Sequence, residues 1–366
     1  MPVPLRPGDR VALLTSGGDA PGMNAGLRAA AKVGTALGLE VLGVEDGYRG
    51  LMEGRLRALD MRALDEACRR GGTLLGSARS KEFPTPQGQA RAREAIAAAR
   101  LAGLLVFGGN GSLAGAHALA GTPGADGNEL RVGGVPASID NDIGCTTLAI
   151  GVDTAMNTIV EACDRIADTA LSHQRTFIIE VMGRDCGYLA MAAGIAAAAD
   201  AVLFREGKQS DDEIVDQVMR AIEAAYARQG GRRHVLVIKS EGVRLDSQRL
   251  KHMVDERIRA RGMEVDTRVT VLGHVVRGGA PSAFDRLLAA RLAAAAMRAL
   301  RDGHTQFMVG WAGPGQARSV CAYDHHVTLW PLGEVLAETE RMHSGDSAAV
   351  QARVRAMKEV ESVLYL

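Results

Sequence analysis

Two carboxylates stand two residues apart in the segment 138–142, which reads Ser-Ile-Asp-Asn-Asp. The segment follows a β-branched and glycine-rich run from Arg131 to Val135, which predicts a short buried strand. Ligands of open α/β sheets bind beyond the carboxyl ends of the strands, where this pair emerges. Asp140 and Asp142 can therefore serve as a base and a metal ligand, although a turn rich in Asx residues explains the same pattern.

Two glycine-rich loops strengthen the chemical interpretation. Ser16-Gly17-Gly18-Asp19 and Gly108-Gly109-Asn110-Gly111-Ser112 each follow a predicted strand and precede a predicted helix. Glycines let backbone amides approach a phosphate, and a helix N-terminus adds partial positive charge. Neither loop matches the Walker or dinucleotide pattern, and a tight turn would explain either one alone. Together with the carboxylate pair, they indicate phosphoryl transfer.

Arginines beside these loops add to that indication. The planar guanidinium matches the oxygens of a phosphate, although a solvated surface arginine is the alternative for each one. Five of them stand on small-residue turns or at the ends of predicted strands: Arg79, Arg175, Arg184, Arg268 and Arg277.

The elements that must position these residues alternate between strand and helix. This alternation predicts an α/β fold with parallel sheets and crossover helices, and a chain of 366 residues favours two lobes. Strands are predicted at Arg10–Thr15, Glu40–Val44, Leu104–Phe107, Val132–Val135, Thr176–Val181, Ala201–Phe204, His234–Lys239 and Val269–Leu272.

Composition excludes several classes of protein. The 43 basic and 43 acidic residues give a formal net charge of zero, which argues against binding to nucleic acid or to a membrane surface. No apolar run approaches the span of a bilayer. The five cysteines are scattered without a CxxC motif, which is typical of a reduced cytoplasmic chain.

A set of motifs makes a resemblance specific. They occur in the order found in bacterial 6-phosphofructokinases, over about residues 10 to 300, and the last fifty or so residues match poorly. The motifs are Thr15-Ser16-Gly17-Gly18-Asp19-Ala20-Pro21-Gly22-Met23-Asn24, Gly76-Ser77-Ala78-Arg79, Ile139-Asp140-Asn141-Asp142, Ser172-His173-Gln174-Arg175, Met182-Gly183-Arg184 and Val271-Leu272-Gly273-His274.

The resemblance implies a two-lobe phosphofructokinase-like fold in which each lobe is a mainly parallel sheet flanked by helices. Residues 1–151 and 278–324 would form a nucleotide-binding lobe, and residues 152–277 and 325–366 a lobe that binds sugar phosphate. Because the family shares its sugar site between subunits, the chain is expected to form a homo-oligomer, a tetramer or a dimer.

The resemblance also implies site roles. Asp140 would take the proton from the sugar 1-hydroxyl, helped by Arg79, Ser138 and Arg184, and Mg²⁺ would be held by Asp142 and Asn110. Nucleotide contacts are expected from Gly18, Tyr48, Arg79, Ser80, Gly109, Asn110, Gly111 and Ser112. Sugar-phosphate contacts are expected from Ser138, Asp140, Arg175, Met182, Gly183, Arg184, Glu241, Arg268, His274 and Arg277, with Arg175 and Arg268 supplied by a neighbouring subunit.

The chain departs from the family at several positions. Asn110 stands where the family has an aspartate that helps to bind magnesium, so metal affinity should fall unless Asp142 suffices. Pyrophosphate-using relatives carry aspartate and lysine at the positions of Gly111 and Ala137, so these small residues favour ATP. Ser80 replaces a frequent aromatic residue, which would weaken nucleotide packing.

These observations predict a cytoplasmic kinase that transfers the γ-phosphoryl of ATP to fructose 6-phosphate, giving fructose 1,6-bisphosphate, with Mg²⁺ as its cofactor. Two alternatives stay open at this stage. One is an enzyme that uses pyrophosphate or another sugar phosphate. The other is a weakly active, regulatory sugar-phosphate-binding protein, for which Asn110 is the supporting residue.

Overall fold

The computed structural model describes residues 3–78, 80–227, 234–312 and 320–364. The strands are β1 (Arg10–Ser16), β2 (Glu40–Val44), β3 (Leu56–Ala58), β4 (Leu101–Gly108), β5 (Arg131–Pro136), β6 (Arg175–Val181), β7 (Ala201–Leu203), β8 (Val235–Ser240), β9 (Asp266–Val271), β10 (Phe307–Trp311), β11 (Val320–Cys321) and β12 (Asp324–Pro331). The helices are α1 (Met23–Ala36), α2 (Gly47–Met52), α3 (Met61–Ala67), α4 (Pro86–Ala98), α5 (Asn110–His117), α6 (Val152–His173), α7 (Tyr188–Ala196), α8 (Asp211–Ala227), α9 (Ser247–Ala260), α10 (Ala283–Arg301), α11 (Leu332–Ser344) and α12 (Ala348–Leu364).

The first compact unit contains Met1–Ile139, Ile143–Thr154 and Arg277–Glu340. Its sheet has the strand order β11-β12-β10-β5-β4-β1-β2-β3. The five central strands run parallel, whereas β3, β12 and β11 add antiparallel pairings at the two edges. Every residue of β4 and β5 is buried, as expected for parallel strands covered on both faces.

The second unit contains Asp140–Asp142, Ala155–Val276 and Arg341–Leu366. Its four strands lie in the order β7-β8-β6-β9 and all pair in parallel. Helices α8 and α9 pack on this sheet through an apolar core that includes Ile178, Val218, Val237 and Leu250.

The predicted α/β class with mainly parallel sheets is confirmed, and each predicted strand is present. Leu104–Phe107 is the buried centre of a longer strand, β4, while β9 begins three residues before the predicted Val269 and ends at Val271. Phe204 leaves the sheet because a 3₁₀ turn at Arg205–Gly207 follows β7. No described helix combines the length and the apolar character needed to cross a bilayer.

The observed units divide the chain differently from the predicted lobe boundaries. Strand β12 pairs with β10 in the eight-stranded sheet, so residues 325–340 belong to the first unit rather than the second. The carboxylate loop Asp140–Asp142 groups with the second unit, although the predicted boundary placed it in the first. Sequence pattern could not reveal either assignment because each depends on long-range packing.

A buried carboxylate joins α6 to α10 in the first unit. Asp285 is fully buried and accepts hydrogen bonds from the Gly151 amide at 2.8 Å, the Thr154 amide at 2.8 Å and the Thr154 hydroxyl at 2.6 Å. The Thr154 hydroxyl in turn accepts from the Ser282 amide at 2.9 Å, before α10 begins. Burial raises the pKa of Asp285, while these hydrogen bonds favour its charged form.

Replacing Asp285 by asparagine should therefore destabilise the fold. The amide NH₂ group would face backbone donors, and a buried donor left without a partner costs ~1–3 kcal/mol. We expect the free energy of unfolding, measured by urea denaturation, to fall by that amount. Asp302→Asn, at the half-buried C-cap of the same helix, is the matched control. Equal stabilities of the two variants would contradict this role for Asp285.

Candidate active site

Three loops meet at the carboxyl ends of β1 and β4 in the first unit. A Cβ atom at Gly108 would lie 2.5 Å from both the Ser16 carbonyl oxygen and the Ser112 Oγ, so these backbones touch only because residue 108 has no side chain. The Ser77 hydroxyl donates to the Gly17 carbonyl at 2.5 Å. The Thr15 hydroxyl donates to the Gly76 carbonyl at 2.8 Å. Both predicted glycine loops and the Gly76–Ala78 turn therefore form one cluster.

The second glycine loop begins helix α5. The helix starts at Asn110, directly after Gly109, so the loop leads into a helix N-terminus, the kind of position that favours a bound anion. The Ser112 hydroxyl is buried and has no hydrogen-bond partner among the described residues. A Cβ atom at Gly111 would meet no described heavy atom within 4 Å. This side of the loop is therefore open, with a hydroxyl beside it.

Tyr48 stabilises the second glycine loop. Its ring is buried, stacks on Phe83 with centroids 4.0 Å apart, and its hydroxyl donates to the Ser112 carbonyl at 2.6 Å. Burial raises the pKa of Tyr48, so the hydroxyl stays protonated as a donor. The predicted nucleotide contact at Tyr48 thus has an observed role in holding α5.

The neighbouring turn carries two further predicted residues. Ser80 accepts a hydrogen bond from the Phe83 amide at 3.0 Å, which fixes the chain after the turn. The prediction for Arg79 falls outside the described residues.

Ser138 and Arg277 also lie against these loops. A Cβ atom at Gly109 would lie 3.6 Å from the Ser138 Cβ, because the Ala137 amide donates to the Gly108 carbonyl at 3.0 Å. Arg277 Nη1 lies 3.4 Å from the Asp19 carbonyl oxygen and 2.8 Å from where a Cβ at Gly18 would stand. Arg277, predicted to hold the sugar phosphate, thus contacts the first glycine loop.

The carboxyl edge of the second unit's sheet gathers half of the predicted sugar contacts. The Gly183 carbonyl accepts from the Ser240 hydroxyl at 2.6 Å, and the Glu241 amide donates to the Val181 carbonyl at 2.8 Å. Gly183 has φ 123°, and a Cβ there would stand 2.4 Å from the Cys186 carbonyl oxygen. Met182 precedes this turn and is buried, whereas Arg184 follows it and is exposed.

His274 lies at the same edge, whereas two predicted arginines lie elsewhere. The Leu272 amide donates to the Glu180 carbonyl at 3.0 Å, which brings the exposed His274 to the end of β6. Arg175 begins β6, so it is separated from the far end by the seven-residue strand, roughly 20 Å at ~3.3 Å per residue. Arg175 and Arg268 both pair with Asp266 Oδ2, at 2.7 and 2.8 Å. These two arginines form a separate group from His274 within one chain.

The carboxylate loop is held by the C-terminal part of the second unit. Asn141 adopts a left-handed conformation with φ 51°, which asparagine tolerates better than most residues. Arg353 Nη1 donates to the Asn141 carbonyl at 3.2 Å, and its guanidinium lies 4.7 Å from the Tyr188 ring centroid. His343 Nε2 lies 3.2 Å from Asp142 Oδ2, and this hydrogen bond raises the pKa of His343.

Sequence reasoning missed His343 and Arg353. Both lie in the segment that matches the family poorly, and neither belongs to a motif. Asp140 is half-buried and Asp142 is buried, with 9 % of its surface exposed.

The residues present suit a magnesium ion shared with substrate phosphates. No group of three or more His, Cys, Asp or Glu side chains that could hold a metal ion occurs within the described ranges. Mg²⁺ keeps several waters and commonly binds through one or two carboxylates plus phosphate oxygens, rather than in an all-protein cage. Asp142 offers a carboxylate of this kind, and Asn110 offers an amide oxygen, a weaker ligand for a hard cation.

Glycine loops and a helix N-terminus at the ends of parallel strands place the chain in the α/β class of phosphate-binding proteins. The phosphofructokinase family model matches residues 10–300. The chain is 46 % identical over 303 residues to an ATP-dependent 6-phosphofructokinase of Brevibacillus brevis, covering 82 % of this chain and 89 % of that protein. It is 43 % identical over 301 residues to an enzyme of the same name from Natranaerobius thermophilus, with the same coverage. The chain belongs to the phosphofructokinase family.

Solved structures agree with this membership. Phosphofructokinase of Pichia pastoris in the T-state matches with a TM-score of 0.84 at 29 % identity over 98 % of this chain, which spans 42 % of that longer protein. The Saccharomyces cerevisiae structure gives a TM-score of 0.83 at 29 % identity, with 97 % and 50 % coverage. A pyrophosphate-dependent phosphofructokinase of Marinobacter aquaeolei matches with a TM-score of 0.74 at 21 % identity, which concerns the fold alone.

Loss of the Arg353 contact should disturb catalysis more than binding. Arg353→Met removes the guanidinium that donates to Asn141 and lies over Tyr188, while keeping an unbranched side chain at the position. Because small displacements of reacting groups lower rates steeply, we expect kcat to fall ~tenfold with a smaller change in KM. Steady-state kinetics checks this, with Lys358→Met, an exposed site on the same helix, as control. Wild-type kcat in Arg353→Met would show that the loop does not need this support.

Proposed function

We propose that this protein is an ATP-dependent 6-phosphofructokinase, which transfers the γ-phosphoryl of ATP to the 1-hydroxyl of fructose 6-phosphate. The observation that carries the proposal is the preserved Asp140-Asn141-Asp142 loop in a chain 46 % identical to a relative of that name. The convergent glycine loops of the first unit and the Met182–Glu241 edge of the second supply surfaces for a nucleotide and a sugar phosphate. In this proposal the first unit binds the nucleotide and the second unit binds the sugar phosphate.

Phosphoryl transfer needs positioning and charge stabilisation more than covalent chemistry. In our proposal the α5 amides and the Ser112 hydroxyl hold donor phosphates, and Arg79 and Arg184 stabilise the charge of the transferred group. Asp140 accepts the proton of the sugar hydroxyl, which makes the oxygen a better nucleophile. Ser138, two residues before Asp140, is proposed to contact the acceptor; the hydrogen bond from the Ala137 amide to the Gly108 carbonyl supports this by fixing the chain just before it.

Asp142 and Asn110 would hold Mg²⁺ together with the phosphates. The ion, when bound, neutralises charge that develops on the phosphate oxygens. In this chain the Asp142 carboxylate also faces His343, so metal and imidazole would share the same group.

The 6-phosphate site is proposed to form between subunits. Arg175 and Arg268 lie together at Asp266, while His274 lies beyond the other end of β6 in the same chain. A single chain therefore cannot use all three on one phosphate, whereas a neighbouring copy could supply the two arginines. This arrangement supports a homo-oligomer, in the cytoplasmic setting that the composition predicts.

The Asp140→Asn variant tests the proposal directly. Removing a general base typically lowers the rate ~10²–10⁴-fold, so we expect kcat with ATP and fructose 6-phosphate to fall in that range while sugar binding changes little. A coupled assay for fructose 1,6-bisphosphate gives kcat and KM separately. Asp168→Asn, exposed on α6, should behave as the wild type. A near-normal kcat for Asp140→Asn would remove Asp140 from this role.

Gly111 should set the choice of donor. Turnover with ATP should exceed turnover with pyrophosphate, and Gly111→Asp should raise the KM for ATP. An overpacked contact costs ~1–3 kcal/mol, which corresponds to roughly 5- to 140-fold in affinity. Gly111→Ala, whose Cβ meets no described atom within 4 Å, is the control for the substitution itself. Faster turnover with pyrophosphate in the wild type would reverse the donor assignment.

With Asn110 in place of an aspartate, the enzyme should need a higher Mg²⁺ concentration for half-maximal rate. Asn110→Asp restores a carboxylate, so the Mg²⁺ concentration for half-maximal rate should fall and kcat should rise. Because an Asn-Gly pair is prone to deamidation, mass spectrometry must verify residue 110 in each preparation. Identical magnesium curves for the two verified proteins would mean that position 110 does not contribute to metal binding.

A further inference from the structure

A cavity of about 670 Å³ lies within the second unit, outside the proposed sugar site. Its walls are the turn after β7 (residues 204–209), the loop after β8 (residues 242–244) and the C-terminal segment between residues 342 and 355. None of the sugar contacts proposed above is among its described lining residues. Its volume is within the range of pockets that hold small organic molecules.

The rim of the cavity is strongly basic. Its cationic residues are Arg205, Lys208, Arg244 and Arg355. Glu206, the one carboxylate among the described lining residues, accepts the Gly187 amide through both oxygens, at 2.9 and 3.1 Å. That hydrogen bonding turns the Glu206 charge towards the start of α7. The excess of cations therefore favours an anionic ligand.

The floor of the cavity is apolar. Phe204, Ile214, Val243, Met342 and Val350 each expose at most 8 % of their surface. A purely inorganic anion would leave this floor uncovered. A ligand with a compact apolar body and one phosphate would satisfy both surfaces, since apolar contact and charge-assisted hydrogen bonds add to each other.

The C-terminal segment that forms one wall of the cavity also contacts the carboxylate loop. His343 lines the cavity and also hydrogen-bonds Asp142. Gln351 and Arg355 line it from α12, and Arg353, between them on that helix, holds the Asn141 carbonyl. An occupant that joins the turn after β7 to α12 would therefore restrain the two contacts that support the loop.

We propose that this cavity is a binding site for a small organic monophosphate whose phosphate sits on the basic rim and whose apolar part sits on the floor. The ligand ties α12 to the turn after β7 and thereby steadies the carboxylate loop. The binding site stands on the cavity alone, whereas the effect on turnover rests on the proposed kinase function.

Binding is tested with phenyl phosphate as the probe, by isothermal titration calorimetry on the full chain. Inorganic phosphate and benzyl alcohol test the two halves of the probe. We expect phenyl phosphate to bind at least tenfold more tightly than either. The double variant Lys208→Glu/Arg244→Glu should weaken its binding at least tenfold, while Arg259→Glu, an exposed arginine away from the cavity, should not.

Each other outcome counts against the site. Absence of binding, equal binding of inorganic phosphate, or unchanged affinity in the double variant would overturn it. Thermal melting checks that the double variant is folded, and if it is not, Arg355→Glu on α12 replaces it with the same expected loss of affinity.

Turnover measurements separate binding in the cavity from its proposed effect on catalysis. With phenyl phosphate bound, kcat for fructose 6-phosphate and ATP should rise in the wild type and stay constant in the double variant. Unchanged kcat in the wild type would overturn the coupling while leaving the binding site. If no phosphofructokinase activity is found under any condition, the proposed function fails, and calorimetry still decides whether the cavity binds the probe.

Discussion

The arrangement in the first unit depends on one close approach, at Gly108. Its missing side chain lets the end of β4 touch the Ser16 carbonyl and Ser112, and its own carbonyl accepts the Ala137 amide that continues β5. Three strands thus end at one point. A methyl group there would push apart the loop after β1 and the start of α5. Because all three contacts involve backbone or short side chains, little could move to relieve the clash.

Motifs at strand ends were predictable from sequence because parallel strands leave buried apolar runs followed by glycines. For this reason β2 matches its prediction residue by residue, and the loops at Gly18, Gly109, Gly183 and His274 follow the strands that were expected to carry them. The resemblance added roles that spacing alone cannot supply. Those roles stay predictions for this chain.

The other features of the fold and of the site could not be predicted from the sequence, because they depend on three-dimensional packing. Strand β12 alternates weakly and contains two histidines, so its place at the sheet edge follows from pairing with β10 rather than from its own pattern. His343 and Arg353 approach the carboxylate loop from more than 200 positions away in the chain, a distance at which no local signal exists. Tyr48 was expected at a ligand surface, yet its hydroxyl is used within the fold, because an aromatic residue beside a glycine loop can serve either purpose.

Strand β6 has a consequence for how the protein can evolve. Arg175 stands at its first residue and Met182 directly after its last, so seven residues set the spacing between two functional groups proposed to serve different copies of the chain. An insertion of one residue would turn every side chain beyond it to the opposite face, since successive side chains alternate. In the proposed homo-oligomer, such an insertion would change the spacing between these two groups in every copy. If the proposed assembly forms, the length of β6 cannot vary freely, and variation is more readily accommodated in the surface loops.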